Sequence, residues 1–236
     1  MTALKVGLIG AMVEEIELIK DKLSNVSVRV YAGISFYEGT LHGVDVVLCK
    51  CGVGKVNAAV CTQLLVDRFA VSRVVFTGVA GALDPQLDIG DIVISTDCMQ
   101  HDMDVTALGF PRGTIPYEDV SVFAADETLV ALAGRVGEGL ADGPRVLLGR
   151  VLSGDQFIAD RELVTRLHSE LGGACVEMEG AAVAQVCAMN GLPFVVIRSM
   201  SDKADGSADV NFLEFTKLAS LRSSELVERL LAELPR

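Results

Sequence analysis

Residues 5–23 read KVGLIGAMVEEIELIKDKL, a short apolar stretch followed directly by a segment of helical period. The first part, Lys5 to Ile9, predicts a buried strand. From Met12 to Leu23 the apolar residues fall at spacings of four, three and four, which predicts a helix with one buried face. A strand that leads straight into a helix is the repeating unit of α/β folds, so we expect the rest of the chain to continue this alternation.

Short β-branched runs and helical segments do alternate along the remaining sequence, with no composition shift, proline-rich linker or repeat to divide them. Turns at Ala32-Gly33 and His42-Gly43 join three early strands, so part of the sheet is expected to be antiparallel. The later predicted strands are 26–30, 35–41, 44–50, 73–76, 91–96, 146–152, 174–177 and 193–198, and the later helices are 57–69, 126–140, 160–171, 179–190 and 211–233. The sequence predicts one domain over residues 1–236, a three-layer α/β/α sandwich around a mixed, mostly parallel sheet.

The composition excludes several classes of protein. The chain has 236 residues, 50% of them hydrophobic, and carries 20 basic against 32 acidic side chains, for a net charge of −12. That charge repels nucleic-acid phosphates and anionic lipids, so neither is an expected partner. No apolar stretch approaches the ~20 residues of a membrane span and the first residues do not resemble a signal peptide, so a cytoplasmic location is expected. Six cysteines without a C-x-x-C pair predict reduced, buried thiols.

Two motifs invite a nucleotide or metal site, but their spacing is wrong. In the run GVGKVN at 52–57, Cys49 stands where a phosphate-binding loop has its first glycine, and Asn57 stands where the dinucleotide fingerprint has its third. The glycines still fit a tight turn, or a close approach of the backbone to a ligand. The run HDMDVT at 101–106 has no ligand spacing with the other two histidines. We therefore expect no metal and no cofactor.

Acidic residues follow three predicted strands, where α/β sheets place their ligands. At about 100° per residue along the first helix, Glu15 borders the apolar face, whereas Glu14 and Glu17 point away from it. A partly buried Glu15 would have a raised pKa suited to proton transfer, and a solvated Glu15 would be an ordinary surface residue. Both interpretations are open.

The other two acidic positions each admit two interpretations as well. Glu177-Met178-Glu179 could complement a helix dipole, or it could hold a sugar, because carboxylates accept hydrogen bonds from vicinal hydroxyls and a thioether packs on an apolar ring face. Ser201 and Asp202 could cap a turn. Alternatively, a buried strand delivers Asp202 to a cleft as an acid, with Ser201 fixing its orientation.

Seven short motifs follow one another along nearly the whole chain. They are IGAM at 9–12 with EE at 14–15, GVGKVN at 52–57, TGVAG at 77–81, HDMDVT at 101–106, SGDQFI at 153–158, VEME at 176–179 and RSMSD at 198–202. In this order they resemble the 5′-methylthioadenosine/S-adenosylhomocysteine nucleosidases, within the nucleoside phosphorylase family. The resemblance implies a nucleoside phosphorylase-like fold and a hydrolase that cleaves the N-glycosidic bond of 5′-methylthioadenosine, S-adenosylhomocysteine and 5′-deoxyadenosine. It also implies a role in methionine salvage and amino-acid biosynthesis.

The resemblance further implies roles for particular residues. Glu15 would be the general base that activates water, and Asp202 the general acid that protonates the purine at N7, because an unprotonated purine leaves poorly. At the ribose, the implied contacts are Glu179 and Met178, with Glu177 nearby. At the adenine, Phe157 would stack on the ring, the backbone of Ile158 would contact its edge, and Ala80 and Gly81 would line the base pocket. Phe212 would cover the 5′ substituent, and the other implied substrate-binding residues are Met12, Val53 and Ser201. An apolar cap from a partner subunit would use Val105, Leu108 and Pro116, which implies a homodimer with shared sites.

Three alternatives to the hydrolase differ in testable ways. A purine nucleoside phosphorylase has this fold but must bind phosphate, normally with arginine; no Arg lies between Arg73 and Arg112. Val79, where many relatives carry Ser or another small residue, has no side-chain donor, and Val13 stands where many carry an acidic residue. A futalosine-type nucleoside hydrolase differs in its pocket for the 5′ end. A non-catalytic nucleoside-binding module would be expected to lack one acid–base carboxylate, and both are present.

Overall fold

The structure, a computed structural model, describes residues 4–140, 143–204 and 208–235, with 208–214 as backbone only. Its strands are Lys5–Gly10 (β1), Ser24–Tyr31 (β2), Ile34–Leu41 (β3), Val44–Lys50 (β4), Arg73–Ala82 (β5), Ile92–Gln100 (β6), Val122–Ala124 (β7), Val146–Ser153 (β8), Gly173–Glu177 (β9) and Phe194–Asp202 (β10). Its helices are Val13–Lys20 (α1), Lys55–Phe69 (α2), Glu127–Gly137 (α3), Arg161–Leu171 (α4), Gly180–Met189 (α5) and Ala208–Glu233 (α6). The alternation predicted from residues 5–23 therefore continues through the chain.

The strands form one sheet in the order β10-β6-β8-β9-β5-β1-β4-β3-β2, with β7 paired to β6. Because β10 also pairs with β5, the strands β5, β10, β6, β8 and β9 close into a ring. The arm β4-β3-β2 is antiparallel, as its two turns predict. Among the described strands, parallel and antiparallel pairings are equal in number. The sheet is mixed, as predicted. It has more antiparallel pairs than expected, because β9 pairs antiparallel with β5, and β6 pairs antiparallel with β10 and β7.

Helices cover both faces of the sheet, which confirms the three-layer prediction. One hydrophobic cluster joins α2 and α5 to the sheet through residues such as Leu65 and Val183. The opposite cluster joins α1, α3 and α6 through Ile19, Leu129 and Leu230. In the part of the chain that the structure describes, no helix has both the length and the apolar character needed to cross a bilayer.

Three strands run at least four residues further than their apolar segments predict: β5, β10 and β6, the last of which was predicted to end at Thr96 and continues to Gln100. The prediction ended β5 at Phe76 and β10 at Arg198, because the residues that follow are small or polar. In the fold these tails pair with each other, and the β5 tail also pairs with β9, so their backbone groups are satisfied inside the sheet. Asp202 is consequently the last residue of β10 and does not lie in a following loop. The short strand β7 was not predicted.

All six cysteines are buried free thiols, as their apolar surroundings predict. Cys49 and Cys61 lie with their Sγ atoms 3.2 Å apart, between β4 and α2. Burial raises the pKa of the Cys49 thiol well above its ordinary value and raises that of Cys187 to about 12. The Cys49 and Cys187 thiols therefore remain protonated at neutral pH, and the six buried cysteines act as small core side chains.

Candidate active site

A cavity of about 300 Å³ opens where β1, β5, β9 and β10 end, the location expected for an α/β sheet. Its size suits a small molecule, since ligand pockets usually begin at about that volume. The lining residues are Ala11, Met12, Glu15, Val53, Val79, Ala80, Gly81, Gln156, Phe157, Ile158, Val176, Glu177, Met178, Glu179, Ser201 and Asp202. Most of the lining is apolar, and its acidic side chains are Glu15, Glu177, Glu179 and Asp202.

Glu15 lies in the first turn of α1, with its carboxylate between the ends of β1 and β5. Oε2 accepts hydrogen bonds from the backbone N–H groups of Ala11 at 2.5 Å and Met12 at 2.9 Å, and Oε1 accepts one from Val79 N–H at 3.1 Å. The side chain is 3% exposed, so the interpretation of Glu15 as a solvated surface residue is wrong. Burial raises the pKa of the Glu15 carboxyl, while the charge of Arg198 and the three N–H groups limit the rise.

Two glycines make room for this carboxylate. A Cβ on Gly78 would collide with Glu15 Oε1 and lie 2.8 Å from its Cδ. A Cβ on Gly10 would lie 3.0 Å from Glu15 Cβ and 2.6 Å from Ile16 Cγ2. Both contacts are closer than side chains tolerate, so β1 and β5 can hold Glu15 between them only with glycine at these positions.

Asp202 is held at the end of β10 by short local hydrogen bonds. Its Oδ1 accepts the backbone N–H of Ala204 at 2.7 Å, and its Oδ2 accepts the hydroxyl of Ser201 at 2.8 Å. The register between β10 and β5 shifts between Met200 and Asp202, and such irregularities re-aim side chains near functional sites. Asp202 is buried and lines the same cavity as Glu15.

Glu179 lies at the N-cap of α5 and contacts the glycine motif at 52–57. Its Oε1 accepts the backbone N–H of Gly54 at 2.7 Å. Gly52 and Gly54 have φ values of 88° and 99°, in the region that favours glycine, so this turn presents its N–H group without strain. Burial, and then the negative charge of Glu177, raise the pKa of Glu179 to about 8. At neutral pH Glu179 therefore keeps its proton.

Glu177 is occupied by the protein itself. Its carboxylate accepts hydrogen bonds from Arg198 Nη2 at 2.7 Å, from the Ser153 hydroxyl, and from the backbone N–H groups of Glu179 and Gly180. Arg198 is buried with it, 3.9 Å from the centroid of the Phe76 ring. Glu177 therefore contributes to the cavity wall mainly as one half of a buried ion pair.

Another part of the cavity wall comes from the loop after β8. Gln156, Phe157 and Ile158 line the cavity there. Ile158 is buried, whereas the Phe157 ring is 52% exposed, so the ring forms a flat apolar surface open to the cavity mouth. Aromatic rings in such positions stack on planar ligands.

The remaining predicted residues divide into two groups. Met12, Val53, Ala80, Gly81, Met178 and Ser201 all line the cavity. Val105, Leu108 and Pro116 are absent from its described lining and lie in the segment between β6 and β7, where Leu108 is 67% exposed. The side chain of Phe212 lies outside the described residues.

Sequence reasoning missed several functional neighbours. Ala11, Gln156 and Val176 line the cavity without having been assigned to it. The partnership of Arg198 with Glu177 was also missed, although a signal existed. An arginine directly after the apolar strand Phe194 to Ile197 is expected to be buried, and a buried charge requires a partner.

A model of the phosphorylase superfamily matches residues 5–232. Over 232 residues the chain is 43% identical to the 5′-methylthioadenosine/S-adenosylhomocysteine nucleosidase of Anoxybacillus flavithermus, which covers 98% of this chain and 99% of that relative. The chain belongs to the phosphorylase superfamily and to its 5′-methylthioadenosine/S-adenosylhomocysteine nucleosidases.

Solved structures of this nucleosidase family have the same fold. The Neisseria meningitidis nucleosidase in complex with methylthio-immucillin-A superposes with a TM-score of 0.93 at 40% identity, covering 98% of this chain and 99% of that one. The futalosine hydrolase of Helicobacter pylori also superposes with a TM-score of 0.93, at 33% identity. The match covers 98% of this chain and 99% of the futalosine hydrolase chain. The fold is thus shared between two hydrolases whose names differ in substrate.

Proposed function

We propose that this chain hydrolyses the N-glycosidic bond of 5′-methylthioadenosine and S-adenosylhomocysteine, and of 5′-deoxyadenosine, to adenine and the 5-substituted ribose. The observation that carries the proposal is that Glu15 and Asp202, from opposite ends of the chain, line one cavity together with Glu179 and Met178. Curated relatives that carry the nucleosidase name, and the inhibitor complex of one of them, support the same activity. We also propose that residues 1–236 form a single domain.

Asp202 would act on the base. Cleavage leaves the purine with the bonding electrons, so its departure is easier when N7 receives a proton at the same time. The Ser201 hydroxyl and the Ala204 N–H each donate to one carboxyl oxygen of Asp202, which orients the acid. The wall at Phe157 and Ile158 would hold the purine in reach.

Glu15 would act on water at the other side of the sugar. Its carboxylate accepts the proton that water loses as the C–O bond forms at the anomeric carbon, in the manner of inverting glycosidases. Three backbone N–H groups and the charge of Arg198 favour the ionised form of Glu15 and so oppose the rise in its pKa that burial causes. The reaction balances, because Asp202 gives one proton, Glu15 gains one, and solvent restores both.

Glu179 and Met178 would bind the ribose. A carboxyl group that already accepts the Gly54 N–H on one oxygen has its other oxygen for a sugar hydroxyl. Contacts at the ribose can strengthen as positive charge develops on the sugar, which favours the transition state over the substrate.

We also propose a cytoplasmic homodimer with shared sites, acting in methionine salvage. Leu108 and Tyr117 are exposed apolar side chains on the segment between β6 and β7, and Val105 and Pro116 lie beside them, half-buried. Such a segment suits contact with a second copy of the chain. Sedimentation of the wild-type protein tests this proposal: a dimer that dissociates with the Leu108→Asp variant supports it, and a wild-type monomer contradicts it.

Specific observations distinguish two other activities, phosphorolysis and futalosine hydrolysis, from the proposed one. Phosphorolysis requires a site for phosphate, and the described lining of the cavity has no lysine or arginine side chain. Futalosine hydrolysis is favoured by the structural likeness to the H. pylori enzyme, although the sequence identity of 33% is below the 40% shared with the N. meningitidis nucleosidase.

The deciding experiment is adenine release from 5′-methylthioadenosine with and without phosphate. We expect equal rates and free 5-methylthioribose as the sugar product. A strict phosphate requirement would assign the chain to the phosphorylases. Faster turnover of a futalosine-type nucleoside in the same assay would assign it to that hydrolase class, and S-adenosylhomocysteine and 5′-deoxyadenosine complete the panel.

A further inference from the structure

Three charged side chains form a closed ring of contacts beside the cavity. Lys55 Nζ lies 2.6 Å from Asp102 Oδ1, and Asp102 Oδ2 accepts the backbone N–H of Asp155 at 3.0 Å. The Asp155 carboxylate in turn accepts the backbone N–H of Lys55 at 2.8 Å. We name these three residues the charged clamp. It joins the two motifs, at 52–57 and 101–106, whose spacing does not fit a nucleotide-binding loop or a metal site.

Two of the three clamp residues, Lys55 and Asp102, are partly sheltered from solvent, whereas Asp155 is exposed. The side chains of Lys55 and Asp102 are only 19% and 18% exposed, and Lys55 Nζ also donates to Gln100 Oε1 at 3.0 Å. Burial opposes ionisation of Asp102, but the hydrogen bonds from Lys55 and Asp155 hold the pKa of its carboxyl below the ordinary value. An ion pair in this environment is less screened by salt than the exposed pairs of the surface.

The clamp has two arms, the segments that contain Lys55 and Asp155, and each is adjacent to residues that form part of the cavity wall. Gly54, the residue before Lys55, donates its N–H to Glu179. Asp155 is followed by Gln156, Phe157 and Ile158, which line the cavity and form the Phe157 wall. A Cβ on Gly54 would lie 3.2 Å from Asp155 Oδ1, so the two arms already touch.

We propose that Lys55, Asp102 and Asp155 are positioning residues that fix the separation between the Glu179 wall and the Phe157 wall, and so set the affinity for the nucleoside. The inference rests on the proposed function, since it takes a nucleoside as the ligand between those walls. None of the three residues lines the cavity, and they act through the residues next to them.

The clamp should affect binding more than chemistry. Contacts between the base and the Phe157 wall form in the substrate complex and persist in the transition state, so losing their alignment raises KM and leaves kcat nearly unchanged. Glu15 and Asp202 are held by other elements and keep their positions. A purely structural ion pair would instead lower the melting temperature without altering KM.

The first test compares Lys55→Met with Lys22→Met. Lys22 forms an exposed pair with Glu228 at the same N···O distance of 2.6 Å, remote from the cavity lining, so it is a matched control. We expect Lys55→Met to raise KM for 5′-methylthioadenosine at least about 5-fold with kcat within about 2-fold of wild type, and Lys22→Met to change neither. Equal KM values for the two variants would overturn the proposal.

Asp155 provides a second test that does not depend on removing a charge from the ion pair. Asp155→Asn keeps the Oδ1 acceptor for the Lys55 N–H, whereas Asp155→Ala removes it. We expect the alanine variant to raise KM and the asparagine variant to restore most of the wild-type value. If both variants lose only thermal stability, with KM unchanged, the clamp has a structural role alone and the proposal is wrong.

A binding measurement separates this inference from the proposed function. Asp202→Asn slows hydrolysis, so calorimetry on that background gives a dissociation constant for 5′-methylthioadenosine with and without Lys55→Met. We expect the added substitution to weaken binding at least about 5-fold. Absence of hydrolysis and binding by the wild-type protein would contradict the proposed function, whereas normal wild-type activity with unchanged binding in the double variant would contradict the clamp alone.

Discussion

Glu177 and Glu179 stand two residues apart at the end of β9, yet their surroundings are opposite. The carboxylate of Glu177 is saturated by Arg198, Ser153 and two backbone N–H groups. Among the described residues, Glu179 accepts one hydrogen bond, from Gly54. Glu179 therefore keeps hydrogen-bonding capacity for a ligand, and Glu177 does not.

The same contrast distinguishes Glu177 from the other cavity carboxylates. The carboxyl oxygens of Glu15 and Asp202 accept hydrogen bonds from backbone N–H groups and, for Asp202, from a hydroxyl, and these neutral donors orient each carboxyl group. A paired carboxylate stabilises the fold, whereas a carboxylate held by neutral donors can exchange a proton. Substitutions should therefore affect stability at one position and activity at the others.

The largest effect is expected at Glu177. Glu177→Gln leaves the buried charge of Arg198 without its counter-charge, so the free energy of unfolding should fall by about 3–5 kcal/mol. Urea denaturation measures this. Glu170→Gln, which breaks an exposed pair with Arg166, is the control and should cost less than about 0.5 kcal/mol. Similar losses at the two positions would mean that burial does not distinguish the pairs.

Glu15→Gln and Asp202→Asn should each lower kcat by at least about 100-fold, the usual size of an acid–base contribution. Both variants should stay folded, because the amide oxygen can keep the Ala11 and Met12 N–H bonds of Glu15, or the Ala204 N–H bond of Asp202, and only the contact at the second oxygen changes. Steady-state kinetics with a melting curve on the same samples measures both quantities. Near-normal turnover in either variant would remove that residue from its catalytic role.

Glu179→Gln tests the raised pKa of Glu179. Since burial and Glu177 raise that pKa to about 8, the folded protein holds a proton that the unfolded chain has lost, and stability falls as the pH rises toward 8. The glutamine variant cannot ionise and escapes this loss. Its stability relative to wild type should therefore increase by something on the order of 2 kcal/mol between pH 5 and pH 8. A pH-independent difference would contradict the assignment.

The smallest effect concerns the acidic limb of the wild-type rate profile. Glu15 must be ionised to accept a proton, and burial raises its pKa, so kcat/KM should begin to fall at a higher pH than an ordinary glutamate would give. Fluorescence or circular dichroism over the same range must show a folded protein. A limb at the ordinary glutamate value would mean that the N–H groups and Arg198 offset burial completely.

Much of the fold could be predicted because its signals are local. The apolar runs of β1, β4 and β8 and the helical spacing around Ile16 and Ile19 are confirmed by the sheet and its covering helices. The tails of β5 and β10 could not be predicted from their own residues. Their ladders depend on each other, and pairing partners distant in sequence leave no periodic signal.

Contacts between residues that are distant in sequence also limited the prediction of the cavity. Helical geometry placed Glu15 at the edge of the buried face, and the structure buries it further because Gly10 and Gly78 leave room for its carboxylate. From the sequence, the motif at 52–57 could be shown not to match a nucleotide-binding loop, but its partner in the fold could not be identified. Its actual contact, the Gly54 N–H with Glu179, joins residues far apart in sequence, and only the folded sheet brings them together.

The ring of β5, β10, β6, β8 and β9 has a consequence for local opening. A strand inside a closed ring has two neighbours, so releasing it requires two ladders to break together. Amide protons of β5 and β10 should therefore exchange with solvent only on global unfolding, while those of β2, an exposed edge strand, exchange through fraying. Asp202, the proposed acid, and the residues Ala80 and Gly81 thus lie on the strands that we expect to exchange slowest.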